Sequence, residues 1–349
     1  MSELAWRAGA VYALPRGARY GAAAALLLAA MAVSLAIGAV PLSIHELLQV
    51  LLGTSEDARQ TAVIWQLRLP RTLMAGLVGA GLGLAGAMTQ GLFRNPIADP
   101  SLIGVSAGAA IVTAALIVLG GALLPSGWLP YALPVGAFAG SLAVVAIVSR
   151  IAMVEARTSV ALLLLAGIAL NAIAMAGTGF LVYLSDDRQM RDITFWTLGS
   201  VGGATWIKVA ALAPCVLLPL LLSPWFGRAL DALNLGEREA AHLGFRIERV
   251  KRAACIAFAL AVGGAVSVSG IIGFVGLVVP HLVRLTFGAQ HRVLLPLAAL
   301  GGATLLILAD VVARTIAAPA ELPIGLITSF VGGPFFIALL LRRRREFAA

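Results

Sequence analysis

A helix that crosses a bilayer needs about 20 consecutive apolar residues, and this chain supplies such runs repeatedly. Residues 22–40 form the first and 72–93 the second. Residues 100–149 are 50 positions without Asp, Glu, Lys or Arg, too many for one crossing. Gly120-Gly121 and the stretch from Pro125 through Pro130 divide them into two helices. Residues 158–185 and 209–227 give the fifth and sixth spans. The 31 uncharged residues 253–283 carry glycines at 263, 264, 270, 273 and 276. That pattern predicts a seventh helix, a break near 270–273 and a short eighth running over Pro280. Residues 293–309 and 322–341 complete ten.

Composition agrees. Only 12% of residues are charged, against about 25% in an ordinary globular chain, and mean hydropathy is +0.99. Such a chain lacks the polar surface of a soluble enzyme or a nucleic-acid binder, despite a net charge of +9. The fold class expected is therefore all-α and polytopic: one transmembrane domain over 1–349, with a bundle over 20–342 and a cytoplasmic loop at 228–252. Residues 1–40 superficially fit a secretory signal, since Arg7, Arg16 and Arg19 precede an apolar stretch. That stretch lacks a small-x-small cleavage site, so we read it as a retained first helix.

Ten spans put both termini on one side. If that side is cytoplasmic, 18 of the 25 basic residues lie inside, including Arg342, Arg343, Arg344 and Arg345, and 7 lie outside. This split sets the orientation. Gly79, Gly83, Ala87 and Gly91 recur every four residues on one face of the second span, a spacing that lets helix backbones approach closely in lipid. Cys215 and Cys255 fall in apolar runs and match no metal spacing, so they read as small buried side chains. Asn171, inside the fifth span, reads as a hydrogen-bonding link between helices.

The longest cytoplasmic interruption contains Leu235-Gly236-Glu237-Arg238-Glu239-Ala240-Ala241-His242-Leu243-Gly244, a short helix bounded by glycines. Glu237 and Glu239 occupy its first turn, where the helix dipole favours anions. Ala240 and Leu243 share one face. So short a helix is unstable alone, and two docking surfaces stay open for it: its own bundle or a cytoplasmic partner. On the opposite side Arg68 and Arg71, at the outer end of the second span, and Arg314, near the outer end of the ninth, run against the inside bias. Local carboxylates such as Asp310 and Glu321 are one explanation. A partner outside is the other.

Several strings together resemble one family. Arg68-Leu69-Pro70-Arg71, Gly91-Leu92-Phe93-Arg94-Asn95-Pro96-Ile97-Ala98-Asp99-Pro100 and Leu102-Ile103-Gly104-Val105-Ser106-Ala107-Gly108 come first. Leu198-Gly199-Ser200, Gly273-Phe274-Val275-Gly276-Leu277-Val278-Val279-Pro280-His281 and Glu321-Leu322-Pro323-Ile324-Gly325 follow in the same order. Over residues 20–342 the chain resembles the permease subunits of ABC importers for iron-siderophores, haem and cobalamin. The resemblance implies a ten-helix protomer in the bacterial inner membrane, working as a homodimer with a second copy of itself. It also implies a cytoplasmic ABC ATPase dimer and a periplasmic substrate-binding protein as partners.

In that frame Arg68, Arg71 and Arg314 receive glutamates of the binding protein. Glu237, Arg238, Glu239, Ala240, Ala241, Leu243 and Gly244 couple to the ATPase. Asn95, Ile97, Thr158 and Ser159 narrow the cytoplasmic exit, although Thr158-Ser159 equally suits a helix N-cap after Arg157. The chain itself is expected to be no enzyme and to bind no cofactor or metal. It has no phosphate-cradling Gly-x-x-x-x-Gly-Lys-Ser/Thr string, so ATP and Mg belong to the partner. The segment Arg191-Asp192-x-Thr194-Phe195-Trp196 resembles the haem members most. It places Arg188, Arg191, Phe195 and Trp196 at the periplasmic mouth, with the arginines either facing haem propionates or paired to Asp186, Asp187 and Asp192. None of His45, His242, His281 and His291 is paired at i, i+4, and none is read as a haem ligand. Haem import is thus the expected function. A ferric siderophore or cobalamin as cargo is the alternative, and an ion-driven carrier the remote one, since Asp310 is the sole candidate for a carboxylate within a span.

Overall fold

The computed structural model describes residues 15–38, 43–125, 127–155 and 157–347, and they form a helical bundle. Its long helices are α1 (Arg16–Ala36), α4 (Leu69–Leu92), α5 (Val105–Leu123), α6 (Leu129–Ile151), α7 (Val160–Leu184), α12 (Ile247–Ser269) and α14 (His291–Ile316). Shorter ones are α2 (Ile44–Leu51), α3 (Ala58–Ala62), α8 (Asp187–Leu198), α9 (Trp206–Leu221), α10 (Ser223–Leu235), α11 (Glu237–His242) and α13 (Val275–Phe287); α15 (Ile324–Phe347) closes the chain. A wide-turn helix over Val63–Arg68 leads into α4, and a tight turn over Pro100–Ile103 leads into α5. The sole departure from helix and loop among the described residues is a two-residue hairpin, Met153–Val154 against Arg157–Thr158.

Among the described residues seven helices are long and apolar enough to cross a membrane, and an eighth span arises if α9 and α10, bent by 51°, count as one. The expected ten is reached only by adding the shorter apolar helices at Val275–Phe287 and Ile324–Leu339. The break after residue 270 is present: α12 stops at Ser269, Gly270 has φ +69° and Phe274 φ +66°, and α13 then runs over Pro280. One expectation needs correction: residues 228–235 are not loop but the second half of α10, and residues 247–252 are the first turns of α12. The external segment carrying Arg188, Arg191, Phe195 and Trp196 is itself the helix α8. Arg7 and the rest of residues 1–14 lie outside the described residues.

Helix α4 is the axis of the molecule. Every residue from Val78 to Leu92 is buried, as an all-round apolar helix must be. Its glycine spacing explains how. A Cβ at Gly79 would strike the carbonyl oxygen of Gly302, one at Gly83 that of Ala298, and one at Gly86 that of Gly276. Backbones of α4, α13 and α14 therefore meet directly, the close approach that small residues permit in a bilayer. Asn171 in α7 donates to the Ser101 carbonyl at 3.0 Å, the interhelical link its position suggested.

Candidate functional site

The candidate sites lie at opposite ends of the bundle. At the end formed by the C-termini of α1 and α14 and the start of α4, three arginines converge. Arg71 clamps Asp310 through Nε and Nη2 at 2.9–3.1 Å and reaches Glu321 through Nη1 at 2.6 Å. Arg314 lies 3.7 Å from Asp310 and donates to the Ser34 carbonyl at 2.7 Å and to Ser34 Oγ at 2.9 Å. Ser34 Oγ in turn shares a 2.7 Å hydrogen bond with Thr72. Arg68 is buried and donates to the carbonyls of Leu35 and Ala36, the last turn of α1. These carbonyls have no intrahelical partner, so the guanidinium closes that helix end. Both Asp310 and Glu321, the local partners weighed from sequence, are thus engaged. The cluster sets three guanidiniums against two carboxylates, and only Glu321 is substantially exposed.

Helix α8 lies near the same end. Asp186 caps it, accepting from Gln189 N at 2.8 Å, and Gln189 Oε1 in return accepts from Asp186 N at 3.1 Å. Ile193 turns inward with Ala114 and Ile117. Arg188, Arg191 and Phe195, spaced i, i+3, i+7, occupy the exposed face, and Phe195 is 60% exposed. Among the described residues neither arginine forms an ion pair with Asp186, Asp187 or Asp192. Trp196 is half-buried, and its carbonyl packs on Gly270, where a Cβ would collide.

At the other end α11 stands between Gly236 (φ +124°) and Gly244 (φ +88°). Its inner face is Ala240, fully buried; Leu243, just past its end, is 62% exposed. Glu237 pairs with Lys251 of α12 at 2.9 Å. Lys251, itself buried, also donates to the Thr158 carbonyl at 2.8 Å and lies 3.5 Å from Glu248. Thr158 donates to Glu248 through its backbone N at 2.9 Å and its hydroxyl at 2.7 Å. Ser159 caps α7 by accepting from Leu162 N, so the N-cap reading of that pair holds for Ser159. Asn95 accepts from Ile97 N at 3.1 Å, which fixes their turn; no hydrogen bond joins that turn to Thr158 or Ser159 among the described residues. His291 begins α14 and is buried, with Nδ1 3.0 Å from Asp231. Among the described residues no group of three or more His, Cys, Asp or Glu is placed to hold a metal.

Comparison with known proteins decides the family. The FecCD transport family matches residues 26–342. The chain belongs to that family. Among FecCD-like relatives it is 45% identical to the hemin transport system permease protein HmuU of Yersinia pestis, over 89% of this chain and 91% of that one. It is 44% identical to the vitamin B12 import system permease protein BtuC of Salmonella typhi, over 83% of this chain and 86% of that one. A solved metal-chelate type ABC transporter in an inward-facing conformation superposes with a TM-score of 0.82 at 34% identity, covering 93% of this chain and 99% of that one. The fold is that of an ABC importer permease, and the helices described above are its FecCD bundle.

Within this FecCD bundle, sequence reasoning missed Glu248 and Lys251 as site residues. One signal was present: Lys251 is one of two lysines among 25 basic residues, set where α12 turns apolar. Asp231 was missed too, because residues 228–252 read as a polar loop.

Proposed function

We propose that this chain is the permease of a bacterial inner-membrane ABC importer and that its cargo is haem. Two copies form the pathway, a periplasmic binding protein delivers cargo, and a separate ATPase dimer supplies ATP and Mg for the power stroke. The observation that carries the cargo reading is the exposed stripe on α8. Among the described residues Arg188 and Arg191 form no ion pair there, and Phe195 stands beside them. Two cations next to an aromatic ring suit a flat macrocycle bearing two carboxylates. Similarity to a hemin permease supports the same reading.

At the outer rim Arg71, backed by the buried side chains of Arg68 and Arg314, forms the docking cluster. Arg71 exchanges its exposed partner Glu321 for a glutamate of the binding protein, while Asp310 holds it in place. Rim charges of this kind favour orientation and encounter over tight affinity. On the cytoplasmic side Leu243 and the outer face of α11, with Arg238, Glu239 and Ala241, meet the ATPase. Motion of α11 opens and closes the exit at Thr158, Ser159, Asn95 and Ile97. The cavity between α4, α12 and the 270–274 break, lined by Asp99, Ser101, Ser106 and Phe274, measures about 270 Å³. Sites for drug-sized ligands run to about 300–1,000 Å³, so this cavity alone does not house a tetrapyrrole. A path between two copies fits better.

The test is ATP-driven uptake into proteoliposomes holding permease, ATPase and binding protein, with haem, a ferric siderophore and cobalamin each offered. Haem uptake alone is expected. Exclusive uptake of cobalamin or a siderophore would keep the importer and discard the cargo, and 44% identity to a vitamin B12 permease makes that the second reading. Uptake that follows an ion gradient without ATP would overturn the class.

A further inference from the structure

A lysine ammonium has three donors and no acceptor, and that of Lys251 meets three oxygen groups from three elements. They are the Glu237 carboxylate of α11 at 2.9 Å, the Thr158 carbonyl of the hairpin at 2.8 Å, and the Glu248 carboxylate of α12 at 3.5 Å. Glu248 completes the ring, since its other oxygen accepts both the backbone N–H and the hydroxyl of Thr158. Lys251 is 3% exposed. A buried ammonium is costly to leave unpaired, so these contacts form or break together and not singly.

We infer that Lys251 and Glu248 are positioning residues that transmit movement of α11 to Thr158, the first residue of the cytoplasmic exit. This inference rests on the proposed roles of α11 and Thr158 and names the physical link between them. Helix α11 touches the rest of the chain through few groups: Ala240 seats its inner face, and Glu237 is its one ion pair among the described residues. When the ATPase displaces α11, Glu237 carries the ammonium with it or abandons it. Either way the Thr158 carbonyl, which ends the hairpin strand and precedes the α7 cap at Ser159, loses or shifts its donor. Packing alone would not give this direction of coupling. A chain of charge-assisted hydrogen bonds has discrete partners, and a site linked by discrete partners has two arrangements instead of a continuum.

The experiment uses the full permease–ATPase complex, with Cys215 and Cys255 replaced and a single reporter introduced as Ser159→Cys. The rate of labelling by a soluble maleimide is read with and without ATP, Mg and vanadate. ATP hydrolysis is read in parallel. In the otherwise unchanged chain the nucleotide is expected to alter labelling by about fivefold or more, the low end of site–site coupling. In Lys251→Met that change falls below about twofold while hydrolysis continues. Glu248→Gln, an isosteric change at a partly exposed site, gives the same loss, and Lys251→Arg, which keeps charge and donors, restores part of the response. A full response in both Lys251→Met and Glu248→Gln overturns the transmission inference and leaves the importer reading intact. No response to nucleotide in the unsubstituted chain, with ATP being hydrolysed, overturns the placing of the exit at Thr158 and the inference with it. A structural role alone would lower stability and hydrolysis together without separating labelling from turnover.

Discussion

Asp310 is a carboxylate in the wall of a membrane bundle, buried, with four nitrogen contacts from Arg71 and Arg314. Removing one partner of a buried pair costs about 3–5 kcal/mol, because the remaining charge is left uncompensated. Arg71→Met is therefore expected to lower the melting temperature in detergent substantially. Arg71→Met with Asp310→Asn should recover most of the loss. A double variant as unstable as the single one would mean that Arg71 holds the fold through packing and not through charge. This residue pair was half legible in the sequence. External arginines stand out against the inside bias, and Asp310 and Glu321 fall beside them at span ends, so the partners could be named. Arg68 was not legible in the same way, because its acceptors are the Leu35 and Ala36 carbonyls, and backbone acceptors leave no mark in composition.

Among the elements, α11 shows best what a pattern carries. Its bounds were readable because Gly236 and Gly244 sit where the backbone turns left-handed, with φ of +124° and +88°. Which face looks inward was not readable, and the structure separates two residues that the pattern joined. Ala240 is fully buried, while Leu243 is 62% exposed. They should then fail differently. Leu243→Asp removes an exposed apolar anchor and is expected to weaken ATPase attachment by more than about 1 kcal/mol, the usual threshold for an interface residue that matters. The permease's own melting temperature should stay unchanged. Ala240→Leu overpacks the seat at a cost of about 1–3 kcal/mol and should lower that temperature first. Pull-down of the ATPase beside a thermal melt of each variant separates the two, and equal behaviour in both assays would show that α11 has no outward face. Helix α10 was hidden for a different reason. Its inward residues Phe226, Ala229, Leu230 and Leu233 recur at i, i+3, i+4 and i+7, a regular amphipathic stripe, but Arg228 and Asp231 between them drew the eye to a polar run.

At the scale of the whole molecule, the bundle leaves large apolar faces that the chain itself does not cover. Central α4 is buried on all sides by its own bundle, yet α7 exposes Leu165, Ile173, Met175, Phe180 and Tyr183, and α15 exposes Phe330, Val331 and Ile337. Lipid covers such faces without driving helices together, so apolarity alone does not distinguish lipid from a second copy. The cavity beside Phe274 measures about 270 Å³, below the range of sites for drug-sized ligands, and the proposed twofold pair would add space where identical faces meet. Reading this chain as half of a conduit predicts a complex with twice the 35.9 kDa chain mass in mild detergent, after correction for bound detergent by light scattering. The same measurement on Ile173→Arg combined with Phe330→Arg should return a single-chain mass, since charges that tolerate neither lipid nor a dry interface remove the reason for α7 and α15 to associate. A single-chain mass for the unsubstituted protein bound to its ATPase would place the pathway inside one bundle, and the packing around α4 would then have to open to provide it.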